Sequence, residues 1–272
     1  MRKYSPTSPG RRQGEIADRS ALTTDRPEKA LIFGFKRASG RNSFGRITTR
    51  HKGGGAKRLF RIIDFKYDKK DLPARVETVE YDPNRTSFIA LVRYADGERR
   101  YILAPQELAV GSSFVVSEKA PLTPGNRLPL KAIPVGTFVF NIELVRGQGA
   151  RLVRSAGASA QVLAVEGDYA QLKLPSGEIR AVRAENWATI GALSNAEWSF
   201  QTMGKAGRRR RRGIRPTVRG SAMNPRDHPY GGGEGRQLRG TKRPKTKWGK
   251  VTGGVKTRKS KKSDRFILQR RK

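Results

Sequence analysis

The last quarter of the chain limits the fold more than any other stretch. Residues 205–272 carry 25 Lys and Arg against 3 Asp and Glu, and only 13 of these 68 residues are apolar. That share falls below the roughly 20% at which a chain stops building a hydrophobic core. Ordering such a segment costs on the order of 100 kcal/mol at about 1.5 kcal/mol per residue, and burial inside it does not offset the cost. It is expected to take shape only against a polyanion. Residues 1–60 lean the same way, with 15 basic and 4 acidic side chains, whereas residues 61–204 hold 18 and 16. The expected architecture is a near-neutral globular centre with two polycationic extensions.

The formal net charge of the 272-residue chain is +35, and nucleic acid is the polyanion that such a charge suits best. There is no cysteine, which excludes cysteine zinc sites, disulfide scaffolds and thiol nucleophiles. His51 and His228 are the only histidines, too few for a multi-histidine metal site. No apolar run approaches the roughly 18 residues of a membrane helix. The segment Met1–Pro6 is basic with no apolar run behind it, so a secretory signal is not expected.

The centre reads as strands. Phe60–Tyr67, Ala74–Tyr81, Ser87–Tyr94 and Arg99–Ala104 are rich in β-branched and aromatic residues, with an Asp96-Gly97 turn joining the last two. Thr137–Leu144, Ala160–Val165, and the pair Tyr169–Leu174 and Glu178–Val182 follow, the last two joined by Pro175-Ser176-Gly177. Asn195–Met203 is the best short helical candidate, and Pro121–Pro134 looks like a boundary between two β-units. Many short strands with regular turns predict small barrels rather than a doubly wound sheet.

Three segments invite a chemical reading. The run Arg208–Arg212 suits bidentate phosphate contact, against the plainer reading of a solvated charge run or an import patch. Gly231–Gly235 before Arg236 permits close backbone approach, against a flexible linker; it completes neither a dinucleotide fingerprint nor a P-loop, and neither does Gly53–Gly55. Asp227-His228 near Ser221 lacks the strand-turn-helix setting of a hydrolytic triad, so a hydrogen-bonding or stacking histidine is the better reading. The carboxylates of the centre read as ordinary surface balance, and the sequon at Asn84 carries no weight without a secretory signal. Two other function classes stay open on charge and motif alone: a DNA-architectural protein, and a hydrolase using His228.

Several blocks resemble one family closely. They are Pro6–Arg12, Gly45–His51, Gly53–Gly55, Tyr81–Arg85, Asp96–Pro105, Arg154–Gly157, Gly204–Gly207, Arg215–Gly220, Ala222–Pro225, Asp227–Pro229, Gly231–Arg236, Trp248-Gly249 and Ser263–Ile267. Together they look like the bacterial-type second protein of the large ribosomal subunit, nearly end to end. The resemblance implies a mainly β fold: an OB-like barrel followed by an SH3-like barrel, with long basic irregular N- and C-terminal extensions. The corresponding boundaries are 1–59, 60–123, 124–204 and 205–272. It also implies a structural, non-enzymatic role as a primary binder of large-subunit (23S-type) rRNA. That role includes subunit association, tRNA placement and support of the peptidyl-transferase region, with peptide-bond chemistry left to RNA. Implied partners are that rRNA, neighbouring ribosomal proteins and the small subunit across an intersubunit bridge, with no membrane and no homo-oligomer. No cofactor is implied beyond Mg2+ shared with the rRNA. The implied location is the ribosome in the cytoplasm, an organellar ribosome staying open.

The RNA-binding residues expected on this basis fall in three groups. The N-terminal arm supplies Arg11, Arg12, Arg41, Asn42, Arg46, Arg50, His51, Lys57 and Arg58, and the centre Arg61, Arg85 and Arg154. The C-terminal arm supplies Lys205, Arg208, Arg209, Arg210, Arg211, Arg212, Arg215, Arg219, Met223, Asn224, His228, Tyr230, Gly231, Gly232, Gly233, Arg236, Trp248, Lys256, Arg258 and Arg265. Catalytic and metal-binding residues are expected to be absent. Phe44, Tyr230 and Trp248 are candidates for stacking on unpaired bases. Tyr230, Ala56, Phe140 and Trp198 stand where the family usually has histidine, and Arg210–Arg212 replace a stretch that usually includes an aromatic. Tyr230 stacks and donates but does not titrate near neutrality, which argues against a mechanism needing two imidazoles in its loop.

Overall fold

A strand covered on both faces reads as a nearly continuous apolar run, and Ile89–Tyr94 is one. The computed structural model describes residues 1–24, 26–35, 37–106, 108–235, 240–254 and 256–271. In it Ala90, Val92 and Tyr94 face one core, while Ile89 and Leu91 face another. The chain forms two compact units, Met1–Lys36 with Lys57–Ala206 and Ser263–Lys272, and Arg37–Ala56 with Gly207–Lys262.

The first unit holds two curled antiparallel sheets. One is built from β1 (Ala74–Glu80), β2 (Ile89–Tyr94), β3 (Arg99–Leu103) and β4 (Ser113–Phe114), in the order β3-β2-β1-β4. The other contains β5 (Arg127–Pro129), β6 (Phe138–Phe140), β7 (Ala160–Glu166), β8 (Tyr169–Lys173), β9 (Ile179–Arg183), β10 (Trp187–Ile190) and β11 (Ile267–Gln269). Its order is β11-β9-β8-β7-β6-β10-β5. Register shifts at Val76/Thr78 and Val162/Ala164 mark bulges in the longest strand of each sheet, the device that bends a sheet towards closure. The mainly β architecture with OB-like and SH3-like curled sheets is the one expected. Both predicted turns are present: Tyr94 N–H donates to Glu98 O and Leu174 N–H to Glu178 O, each at 2.9 Å, with Gly97 and Gly177 at positive φ.

Each sheet encloses its own core. Val76, Tyr94, Ile102 and Phe114 lie in the first, and Leu130, Val139, Val162 and Leu172 in the second. A third cluster, Ile63, Ile89, Leu91, Tyr101, Leu103, Phe140 and Leu193, joins the outer face of the first sheet to the second. Phe140 sits here fully buried, where an imidazole would need a polar partner.

The join also holds a polar network that composition does not reveal. Arg127 is 1% exposed and pairs with Glu143 at 3.2 Å. It donates further to Asn141 O at 2.6 Å and Thr189 Oγ1 at 3.2 Å, and its guanidinium lies 4.6 Å from the Tyr67 ring centroid. Asn141 Nδ2 donates to Tyr67 Oη at 3.1 Å, and burial pushes the Tyr67 phenol up to about 12. Glu80, Asp82 and Glu143 are all buried, so these central carboxylates are not surface balance; each answers a donor of the fold. Tyr101 Oη donates to Glu80 at 2.8 Å, and Arg85 pairs with Asp82 at 2.7 Å.

Local departures from the expected strands have local causes. The Phe60–Tyr67 run is a strand only over Leu59–Arg61, and Tyr67 has φ 53°, which no extended strand accommodates. Thr137–Leu144 breaks at Asn141, whose φ of 50° turns the chain so that Ile142–Glu143 pairs with Ala150–Leu152 instead. The 195–203 helix is a 3-10 turn over Ala196–Phe200. Residues 121–134 contribute β5, and β11 returns from the basic C-terminal stretch to pair with β9.

Candidate nucleic-acid interface

The second unit begins from a charge that it has no means of neutralising itself. Its two segments carry 25 Lys and Arg against 2 acidic residues, Asp227 and Glu234. Among its described residues not one is buried. What holds it is main chain: Gly53 N–H donates to Gly213 O at 2.8 Å, Ala56 N–H to Arg211 O at 2.9 Å, and Arg215 N–H to His51 O at 3.0 Å. A Cβ on Gly55 would come within 3.0 Å of Gly213 backbone, so the glycines allow two chain segments to lie against each other.

Short ordered pieces carry the cations, most of them exposed. Residues 41–47 turn through reciprocal bonds between Asn42 and Arg46 at 3.0 Å, leaving Phe44 at the tip 86% exposed. A short helix, Ala206–Arg211, carries the arginine run, and Gly213 at positive φ follows its end. Arg210 lies along Gly54, and its Nη1 is buried with no acceptor among the described residues, as expected where donors greatly outnumber carboxylates. Trp248 is 67% exposed, with Arg50 and Lys247 at 5.5 and 5.1 Å from its ring.

The loop around His228 is a closed structure. Gly231 N–H donates to His228 O at 2.9 Å and Gly232 N–H to Met223 O at 3.2 Å. A Cβ on Gly231 would stand 2.3 Å from Asn224 O, so only glycine fits there. His228 Nδ1 accepts from Tyr230 N–H at 3.1 Å, and the two ring centroids lie 4.8 Å apart with their planes tilted. An accepting Nδ1 leaves the neutral imidazole proton on Nε2. Tyr230 Oη in turn accepts from Lys245 N–H. The loop holds His228 between Gly220 and Tyr230 with its Nδ1 already engaged by backbone.

Within the first unit, the expected residues separate by environment. Arg11, Arg12, Lys57, Lys205 and Arg265 are exposed. Arg58 donates to Pro83 O, and Arg85 and Arg154 lie 5.6 and 4.7 Å from the Phe65 ring. Burial, then repulsion from Arg85 and Arg151, lowers the pKa of Arg154. Arg151 and Arg154 also line a groove of about 540 Å³ with Phe65, Lys66 and Arg100. Arg61 departs from the expectation: it is 8% exposed and donates to Leu59 O at 3.0 Å, so it faces protein rather than solvent. Arg41, Arg46, Arg50, Arg209, Arg211, Arg212, Arg215, Arg219, Asn224, Gly233, Lys256 and Arg258 are exposed in the second unit, and Arg236 lies outside the described residues. Phe65 and Arg151 are not legible as site residues in sequence, since nothing in a linear reading brings them beside Arg154.

No group of three or more His, Asp or Glu able to hold a metal occurs among the described residues, and none of their helices is long and apolar enough to cross a membrane. Residues 28–117 match the family model for the RNA binding N-terminal domain of Ribosomal Proteins L2, and residues 123–249 match the model for its C-terminal domain. Among curated proteins, the large ribosomal subunit protein uL2 of Cereibacter sphaeroides strains ATCC 17029, ATCC 17025 and KD131 is similar throughout. Each is 56% identical over 271 residues, covering 100% of this chain and 97% of the relative.

Proposed function

The chain belongs to the ribosomal protein L2 family, and from that premise we propose that its coreless second unit is a cationic insert ordered by large-subunit rRNA. As a family member it is a structural constituent of the large ribosomal subunit with an RNA-binding domain, in the ribosome, which in bacteria is cytoplasmic; the family is not one of enzymes. The observation that carries the proposal is the ratio of 25 cations to 2 carboxylates in a unit with no buried described residue. Phosphates supply the missing countercharge, and release of their condensed ions drives association.

In this reading the barrels fix position and the second unit reaches into the RNA. The Arg208–Arg212 run, Arg215, Arg219 and the 41–50 turn take phosphates, while Phe44 and Trp248 offer faces to unpaired bases. The glycine-tight loop from Met223 to Gly233 presents backbone close to the peptidyl-transferase RNA. His228 serves as a positioning residue, because its Nδ1 is already engaged by Tyr230 N–H. Subunit association, tRNA placement and a bridge to the small subunit follow as consequences of holding that RNA. Mg2+ enters only as an ion shared with the RNA.

The test is equilibrium binding of the full chain to a large-subunit rRNA transcript across a salt series. Replacing Arg208–Arg212 with Gln is expected to reduce the slope of log affinity against log salt by about 0.7–0.9 for each phosphate that the run neutralises. An unchanged slope would sink the assignment of that run to phosphate. A ribonuclease-resistant association with DNA would favour the architectural alternative instead.

A further inference from the structure

Strand parity exposes an inverted face on the small sheet formed by Ile32–Gly34 and Leu59–Arg61. Phe33 stands directly opposite Phe60 in the antiparallel register, and Phe35, two residues along from Phe33, falls on the same face. On the other face Arg61 and Ile63 turn inward at 8% and 9% exposure, while Leu59 at the strand's start is 38% exposed. Half-buried strands normally turn apolar residues in and polar residues out. Here the inward position is an arginine, and the outward face carries Phe33, Phe35 and Ile62 at 47%, 40% and 48% exposure.

The three rings form one cluster. Phe33 and Phe60 have centroids 5.0 Å apart, and Phe35 meets Phe60 edge-on at 5.6 Å. Arg85 lies 5.3 Å over Phe60, and Lys57 and Arg58 precede it in the chain with no acidic residue between 57 and 61. An exposed aromatic face of this kind marks a binding surface, and its cationic flank selects an anionic partner. A stretch of unpaired RNA meets both demands, since each nucleotide brings a flat π-face and a phosphate. A duplex keeps its bases inside and has no face to offer. The patch also lies within residues 28–117, which match an RNA binding domain.

We propose that Phe33, Phe35 and Phe60 form a stacking platform for an unpaired RNA base, with Lys57 and Arg58 flanking its phosphate. The proposal rests on the rRNA-binding reading above and adds to it a site of stated chemistry. Stacking needs a ring, whereas docking of an apolar protein segment needs only apolar area. Leucine and tyrosine at the two exposed positions therefore separate the two.

The experiment uses the full chain, its F33L/F35L and F33Y/F35Y variants, and a large-subunit rRNA transcript, with chemical probing of unpaired bases and thermal melts to show that all three fold. The Leu variant is expected to bind roughly ten- to hundredfold more weakly with an unchanged salt slope, because stacking is removed while every charge is kept. A base protected by the natural chain becomes reactive with the Leu variant, and the Tyr variant restores both affinity and protection. Natural affinity and protection in the Leu variant would overturn the platform. So would natural RNA binding combined with failure to recruit another protein into a reconstituted particle, which would make the patch a protein-docking face. Weakened binding on replacing Arg208–Arg212, alongside unaffected binding by the Leu variant, removes the platform and leaves the rRNA reading intact. Absence of salt-dependent binding by the natural chain removes both.

Discussion

The two units of this protein obtain their order from different sources. The barrel unit carries 33 basic and 21 acidic residues and holds every buried residue among those described. Its buried carboxylates Glu143 and Asp82 are partnered inside it, by Arg127 and Arg85. The other unit has main-chain bonds and glycine-tight approaches but, among its described residues, nothing buried. Hydrogen bonds exposed to water contribute about 0.5–1.5 kcal/mol each, too little to offset the entropy of ordering such a segment. One unit is therefore stabilised from within, and on the proposed reading the other takes its order from an anionic surrounding.

The largest expected contrast lies in hydrogen exchange of the RNA-free chain. Amides of the barrel strands β2, β7 and β8 should exchange only through global opening, whereas amides of 207–235 and 240–254 should exchange near the unprotected rate. Adding rRNA should protect the second set. Equal protection of both sets without RNA would break the comparison.

A mutation pair sharpens it. Phe140→Ala empties a fully buried site between the sheets and is expected to cost about 3–5 kcal/mol in chemical denaturation. Phe44→Ala, at 86% exposure, should stay within about 0.5 kcal/mol in the same measurement on free protein. Comparable destabilisation by both would mean that the 41–47 turn is packed in solution.

Acid gives the smallest effect and a definite sign. Hydrogen bonds and charge from Arg100 and Lys69 hold Asp68, Asp96 and Glu98 below their ordinary values. Their contribution is present above the unfolded carboxylate range and is lost as pH falls below about 4. Glu80 runs the other way: burial raises its pKa, so its contribution is full below the unfolded value and is lost as pH rises through the folded one. With Asp18 and Glu197 lowered as well, five groups stand against one, and thermal stability read from buried Trp187, in a chain with Trp198 and Trp248 replaced by Phe, should fall on acidification. A rise instead would show that Glu80 dominates.

Much of the fold is legible in sequence because its signals are local. Asp96-Gly97 and Pro175–Gly177 specify turns by backbone chemistry, and the strands around them lie within a residue or two of their expected bounds. Alternation fails where a single residue leaves the β region, at Tyr67, a type that rarely takes positive φ, and at Asn141, a type that takes it more readily. The candidate interface is legible as charge: Arg209, Arg211, Arg212 and residues 41–50 are exposed, while Arg208 and Arg210 are half-buried. Arg61 defeats a charge-based reading because parity, and so direction, depends on which face of its strand meets the barrel. Phe33 and Phe35 are hidden from a linear reading for the same reason.

Sequence alone determined that the last quarter of the chain builds no core of its own, because net charge and apolar content are sums over residues and do not depend on where the chain goes. A segment with 25 cations and 13 apolar residues in 68 lacks a core in any conformation. Tertiary structure alone decided which polar groups are spent inside. Tyr67, Arg127 and the pair Asn141 and Glu143 come from three separate stretches, and only the meeting of two sheets makes them a single buried network. It likewise decided that an arginine turns inward and three phenylalanines cluster on the opposite face. The physical reason is that burial and pairing belong to contacts between distant segments, whereas composition belongs to the chain.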